Sequence, residues 1–212
     1  MKEWLITDTH FDHDNIGVYC QRPDGWMDLI LRNWKRVVKP EDVIFHLGDV
    51  QVGKGKVLLD LLNDLPGQKI LTKGNHDTRS LMWYMRNGFH GAVDVMSYNG
   101  VTLSHHPQNS LIGGTDINIH GHVHNSVWLP SKDFHRLLAL EYVNYTPVDF
   151  SKFVGLARSP LKWKAFVKTW KMITDVSRLK NAKKGGKEDD KGKENHQEIH
   201  PQDGVCEAHQ HS

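Results

Sequence analysis

The chain predicts an α/β fold: a mixed two-sheet sandwich flanked by helices. Three observations lead there. Over the first third of the sequence, short apolar runs alternate with helical stripes in the order β-α-β-α-β. Those runs are continuous rather than alternating, as strands buried on both faces are. The second half changes character, with a hairpin signal and further isolated strands.

Leu5-Ile6-Thr7 is a strand that delivers Asp8 at its carboxyl end. Met27, Ile30, Leu31, Trp34, Val37 and Val38 recur at helical spacing, with Asp24 as a candidate cap and Pro40 as a stop. Val43 to Leu47 is a second strand, followed at once by Gly48-Asp49. Leu58, Leu61, Leu62 and Leu65 mark a helix closed by Pro66-Gly67. Lys69 to Thr72 is a third strand, and Gly74-Asn75-His76-Asp77 is the loop at its end. Ala92 to Tyr98, Asn99-Gly100 and Val101 to Leu103 read as a hairpin with a tight primed turn. Ile117 to His120 and Leu137 to Val143 complete the strands.

Ser159-Pro160 starts a helix. It carries Trp163, Phe166, Val167, Trp170 and Ile173 on one face and Lys162, Lys164, Lys168, Lys171 and Arg178 mostly on the other. Packing of that aromatic face on the body is favoured over leaving it in water. From about Asn181 the sequence has almost no apolar residues and reads as a disordered tail. The expected organisation is therefore 1–150 as the domain, 151–180 as a basic amphipathic extension and 181–212 as the tail.

A chain of 212 residues with 38% hydrophobic content builds one core. No apolar run is long enough for a signal peptide or a membrane span. Two cysteines, one of them in the polar tail, do not make a disulfide framework, so a cytoplasmic setting is expected. The net charge of +2 hides an asymmetry: residues 151–184 hold ten Lys/Arg against one acidic residue. Such a face steers polyanions, and makes residues 161–180 a candidate contact for nucleic acid.

Five motifs carry the chemistry: Asp8-Thr9-His10, Gly48-Asp49-Val50, Gly74-Asn75-His76-Asp77, Ser104-His105-His106-Pro107 and Gly121-His122-Val123-His124. All combine Asp, Asn or His with a glycine or a strand end, where open α/β sheets place their sites. One metal takes three or four protein ligands. This set offers enough for two ions sharing a carboxylate, the usual clamp for attack on phosphorus. Ligation by nitrogen and oxygen without thiolate suits manganese first, then iron, zinc, nickel or cobalt. Two His separated by one residue point to opposite sides of an extended segment, so a bend is expected, for which Gly121 is suited. His46 reads as a core histidine, His120 as structural, and Lys73 and Arg79 as solvent-facing. Gly53-Lys54-Gly55-Lys56 lacks the spacing of a phosphate-binding loop.

The ordered set Asp-x-His, Gly-Asp, Gly-Asn-His-Asp, His, Gly-His-x-His resembles the calcineurin-like metallophosphoesterase superfamily, from residue 4 to about 147. Asp8 to Ile16 further resembles a small phage and bacterial subgroup, with Asp12 where that subgroup often has glycine. The resemblance implies a four-layer α/β/β/α sandwich. It implies that Asp8, His10 and His124 hold one divalent ion, that Asn75, His105 and His122 hold the other, and that Asp49 bridges them. His105 rather than His106 is the ligand, because the subgroup places it two residues before the proline. His76 then serves as proton donor to the leaving group, Asp77 orients that loop or its imidazole, and His13 and His106 contact substrate. The nucleophile is expected to be hydroxide bridging the ions. The implied activity is hydrolysis of phosphodiesters of small nucleotides, with phosphomonoesters also in range. The alternatives are a nuclease or nucleic-acid end phosphatase and, in another class, a non-catalytic binding scaffold.

Overall fold

The computed structural model describes residues 1–52, 57–125 and 132–169. One compact unit covers Met1–Arg158, and a second begins at Ser159. The first unit opens with β1 (Glu3–Ile6), α1 (Asp14–Tyr19), α2 (Trp26–Val37), β2 (Val43–His46), α3 (Val57–Asp64) and β3 (Gln68–Thr72). Then come α4 (Leu81–Arg86), β4 (Gly91–Val93), β5 (Val95–Tyr98), β6 (Val101–Ser104), β7 (Ile117–His120) and β8 (His135–Leu137). A 3-10 turn (Leu140–Tyr142), β9 (Val148–Asp149) and α5 (Phe150–Ala157) close it.

The strands form two mixed sheets. The first has the order β4-β3-β2-β1-β9, parallel except for β9. The second has the order β5-β6-β7-β8, in which only β5 is antiparallel to its neighbour. Alternation along the strands sorts the core. Trp4, Ile6, Ile44 and Leu71 join a cluster with Ile30 and Trp34 of α2, Leu62 of α3 and Tyr84 of α4. The Phe45 ring, one position out of step, lies 4.6 Å from Tyr98 of the second sheet and 5.9 Å from Phe150 of α5. Each large apolar side chain so enclosed contributes about 1.5–3 kcal/mol. These layers make the mixed α/β sandwich that the sequence predicts.

The hairpin turn is where it was expected. Tyr98 pairs with Val101, and Asn99 (φ 47°) and Gly100 (φ 76°) are both left-handed, the requirement of a primed two-residue turn. Four details differ from the sequence reading. Residues 92–98 are not one strand: the chain leaves the first sheet after Val93 and enters the second at Val95, with exposed Asp94 between. Residues 137–143 are not one strand either: pairing ends after the Leu138 N–H donates to the His120 carbonyl, and the chain turns through the 3-10 segment. Gly25, not Asp24, caps α2, in a left-handed conformation. Residues 151–157, expected at the start of the basic extension, lie in α5 (Phe150–Ala157), which buries Phe150, Phe153, Val154 and Ala157 within the first unit. The short helices α1 and α4 had no clear periodic signature.

In the second unit, residues 160–169 are helical, and the Trp163 N–H donates to the Ser159 carbonyl at 2.8 Å. Lys162, Lys164 and Lys168 are exposed. The expected remainder of that helix, with Trp170 and Ile173, and the tail 181–212 lie outside the described residues. No described helix is long and apolar enough to cross a membrane.

Candidate metal centre

All five motifs follow strand ends: β1 leads to Asp8, β2 to Gly48-Asp49, β3 to Gly74-Asp77, β6 to His105 and β7 to Gly121-His124. Because these strands are parallel neighbours within their sheets, their ends converge. The backbone there is unusual. Asp8 (φ 50°), His10 (φ 46°), Asp49 (φ 54°), His122 (φ 73°) and His124 (φ 48°) are all left-handed, at about 1–2 kcal/mol each for a residue with a Cβ. Cross-strand bonds hold them: the N–H groups of Asp8 and His10 donate to the carbonyls of Gly48 and Asp49, each at 3.0 Å. The bend between His122 and His124 therefore lies at the histidines, not at Gly121. Gly121 is needed for a different reason, since a Cβ there would collide with Thr7 Oγ1 and Asp8 Oδ2. Gly74 is pressed in the same way against Asp49.

The side chains form two groups around one carboxylate. His10 Nε2 and His124 Nε2 face each other at 3.2 Å, with Asp8 Oδ1 at 3.9 and 3.6 Å from them. His105 Nε2 is 2.9 Å from Asn75 Oδ1, and the rings of His105 and His122 are 5.1 Å apart. Asp49 Oδ2 lies 3.6 Å from His10 Nε2 and 3.2 Å from His105 Nε2. Donor atoms of Asp8, His10 and His124, and of Asp8, Asp49 and His105, come close enough to surround a cation. So do those of His105, His106 and His122. His106 is thus nearer the cluster than its outward neighbour position suggested, with its ring 4.1 Å from that of His122. The donor set fits a divalent cation. Buried nitrogens turned toward one another and toward carboxylates, rather than toward donors, want a positive charge between them.

Electrostatics support that fit. Burial works against a charged His105, but the Asp49 and Asp8 carboxylates and the bond from its Nδ1–H to the Leu47 carbonyl outweigh it and lift its pKa to about 9. A proton on Nε2 occupies the place that a cation would take. Burial likewise opposes the Asp49 charge, yet the His105 hydrogen bond and the neighbouring imidazoles hold its carboxyl below the usual range. Asp8 is raised by burial, against His124 and His105. His122 is pushed down to about 3 by burial and by His105 and His106, leaving its ring neutral and free to ligate.

The remaining predicted residues separate by contact. His76 is exposed, its N–H donates to Asp49 Oδ1 at 2.9 Å, and its ring is 5.4 Å from that of His10. His13 is 5.6 Å from His10 and 6.4 Å from His76, ring to ring. Among the described residues no hydrogen bond is seen between the Asp77 carboxylate and the His76 imidazole. Asp77 is buried and accepts the N–H groups of Gly74, Asp49 and Val50, so it shapes the loop. His46 is a core histidine: its Nε2 bonds Thr9 Oγ1, and burial pushes it down to about 3. His120 is equally buried, donating to the Gly121 carbonyl. Arg79 lies over the Trp83 ring at 5.5 Å.

Two charged residues beside the cluster escaped the sequence reading. The side chains of Arg22 and Glu141 are enclosed and paired at 2.9 Å, and Arg22 also donates to the carbonyls of Asp8 (2.7 Å) and Thr9 (3.2 Å). Burial would raise the Glu141 carboxyl, but Arg22 and His124 hold it at about 2. Nothing local in the sequence marks either residue, because their meaning lies in a contact across 119 positions.

A family model described as calcineurin-like phosphoesterase matches residues 1–212. An uncharacterized protein of Methanocaldococcus jannaschii is 33% identical over 172 residues, spanning 73% of this chain and 90% of the relative. The gene 66 protein of Mycobacterium phage L5 is 27% identical over 170 residues, 63% of this chain and 82% of that protein. A crystal structure of a protein of unknown function from Aquifex aeolicus superposes with a TM-score of 0.58 at 28% identity, covering 73% of this chain and 98% of that one.

Proposed function

Because the chain belongs to the calcineurin-like phosphoesterase family, whose members hydrolyse phosphoesters with divalent metal ions, we propose that it is a two-metal phosphodiesterase acting on small nucleotides or other simple phosphodiesters. Asp8, His10 and His124 would hold one ion, Asn75, His105 and His122 the second, and Asp49 both. The observation that carries this reading is the position of Asp49 Oδ2, between His10 Nε2 at 3.6 Å and His105 Nε2 at 3.2 Å. Bound ions would supply Lewis acidity and a lowered pKa for water at the site. Manganese is the first ion to try, for a set that mixes carboxylate, amide oxygen and imidazole.

The rest falls to the chain's own residues. His76 is anchored through its backbone to Asp49 while its ring reaches solvent, a placement from which an imidazolium can protonate a departing oxygen. His13 and His106 stand at the edges of the cluster, where they would contact the ester. A chain with only two cysteines, at positions 20 and 206, suits a reducing compartment such as the cytoplasm. The second reading, a nuclease or nucleic-acid end phosphatase, draws on the exposed Lys162, Lys164 and Lys168 of the basic segment.

The test is a metal-stripped chain reloaded with Mn²⁺ and assayed on bis-p-nitrophenyl phosphate, p-nitrophenyl phosphate, cyclic nucleotides and short oligonucleotides. Stripping should abolish turnover, and the diester should be cleaved faster than the monoester. Asp49→Asn should be inactive and bind fewer than two ions, since a neutral amide bridges two cations poorly. Full activity in reloaded Asp49→Asn would sink the two-metal reading, and a preference for the monoester would sink the diesterase assignment.

A further inference from the structure

The Arg22–Glu141 pair is an expensive object to bury. Ion pairs in the interior recover little of the free energy lost on leaving water, and apolar residues of the same volume often stabilise a fold as well or better. Its contacts are instead directed at one half of the metal centre. Glu141 Oε1 accepts from Arg22 Nε at 2.9 Å and lies 3.5 Å from His124 Nδ1, the ring nitrogen turned away from Asp8. Neither His124 Nδ1 nor Glu141 Oε2 has a hydrogen-bond partner of normal geometry among the described residues. Leaving a buried ring N–H unpaired is costly, and Glu141 is the carboxylate within reach to accept it. The opposite nitrogen, Nε2, faces His10 at 3.2 Å and Asp8 at 3.6 Å.

Arg22 does two further things. It donates to the carbonyls of Asp8 and Thr9, within the left-handed turn that presents Asp8 and His10. Its guanidinium lies 4.8 Å over the Trp26 ring and 6.0 Å from the Tyr145 ring, which fixes its plane. One cation thus ties the Asp8–His10 turn to the carboxylate beside His124.

We propose that Arg22 and Glu141 are a positioning pair: they set the tautomer and orientation of His124 and the shape of the Asp8–His10 turn, and so set metal affinity in that half of the centre. The inference rests on the reading in which Asp8, His10 and His124 hold an ion. Carboxylates that receive the second ring N–H of a ligating histidine are worth about 10–100-fold in metal affinity.

The experiment is a Mn²⁺ titration of the full chain, followed by calorimetry and by free-Mn²⁺ electron paramagnetic resonance. The wild type should bind two ions. Glu141→Gln should weaken one of them by about 10–100-fold and leave the other unchanged. His124→Ala should weaken the same ion, and the double variant should lose no more than His124→Ala alone, because Glu141 acts through that ring. If Glu141→Gln does not fold, Glu141→Asp keeps the charge beside Arg22 while drawing the carboxylate back from His124, and the same selective loss is expected. Unchanged affinity at both sites, or losses that add in the double variant, would overturn the pair's role. A wild type that binds no Mn²⁺ removes the parent reading and this one together. An effect of His124→Ala without one of either Glu141 variant removes this one alone.

Discussion

His76 is the residue whose backbone and side chain have separate duties. Its N–H holds Asp49 Oδ1, while its ring stands free beside His10. Truncating the ring keeps the first duty and removes the second. His76→Ala should therefore retain two ions per chain by elemental analysis while turnover falls by about 10²–10⁴, the usual range for a general acid. The loss should be smaller for p-nitrophenolate leaving groups, which need little protonation. A variant that loses an ion would make His76 a ligand instead. The members of the cluster were legible because each sits in a short motif of chelating residue types at a strand end. Arg22 and Glu141 were not, since an arginine before a proline and a glutamate after an apolar run look ordinary until the fold joins them.

Among the elements, the turns after β1, β2 and β7 hold six non-glycine residues in left-handed conformations: Asp8, His10, Asp12, Asp49, His122 and His124. They are tolerated because neighbouring strands and close-approach glycines over-determine them. Gly121 is the tightest of these, with no room for a methyl group against Thr7 and Asp8. Gly121→Ala should lower unfolding free energy by about 1–3 kcal/mol, the cost of overpacking, with urea denaturation of the metal-free chain as the measurement. A variant as stable as the wild type would mean that the β1 and β7 turns separate freely. The buried parallel strands were readable as apolar runs. The sheet change at Asp94 was not, because hydrophobicity says that a segment is buried but not which sheet it pairs with. The run 137–143 misled for a related reason, as Leu138, Ala139 and Leu140 are all buried although pairing has ended and the chain is turning.

At the scale of the molecule, α5 belongs to the first unit, so a truncation that respects the fold falls after Arg158. Removing residues 159–212 should leave hydrolysis of small diesters nearly unchanged and weaken oligonucleotide binding, measured by fluorescence anisotropy across a salt series. In the full chain that binding should fall steeply with salt, because phosphate contacts release counterions. Equal binding by both forms would deny the basic segment a role with nucleic acid. A lower melting temperature in the truncated form would show that the aromatic face of the segment packs on the body. The body itself has an unusual seam. Asp8, His10, Asp49 and Asn75 hang from the first sheet, whereas His105, His122 and His124 hang from the second. Each ion site of the proposed pair takes ligands from both sheets. An ion seated in either site would therefore be a clasp as well as a reagent: if it bound only the docked pair of sheets, at a hundred times its dissociation constant it would hold them together by about 2.7 kcal/mol. The strain stored in the turns of each half is then borne by the joint between them.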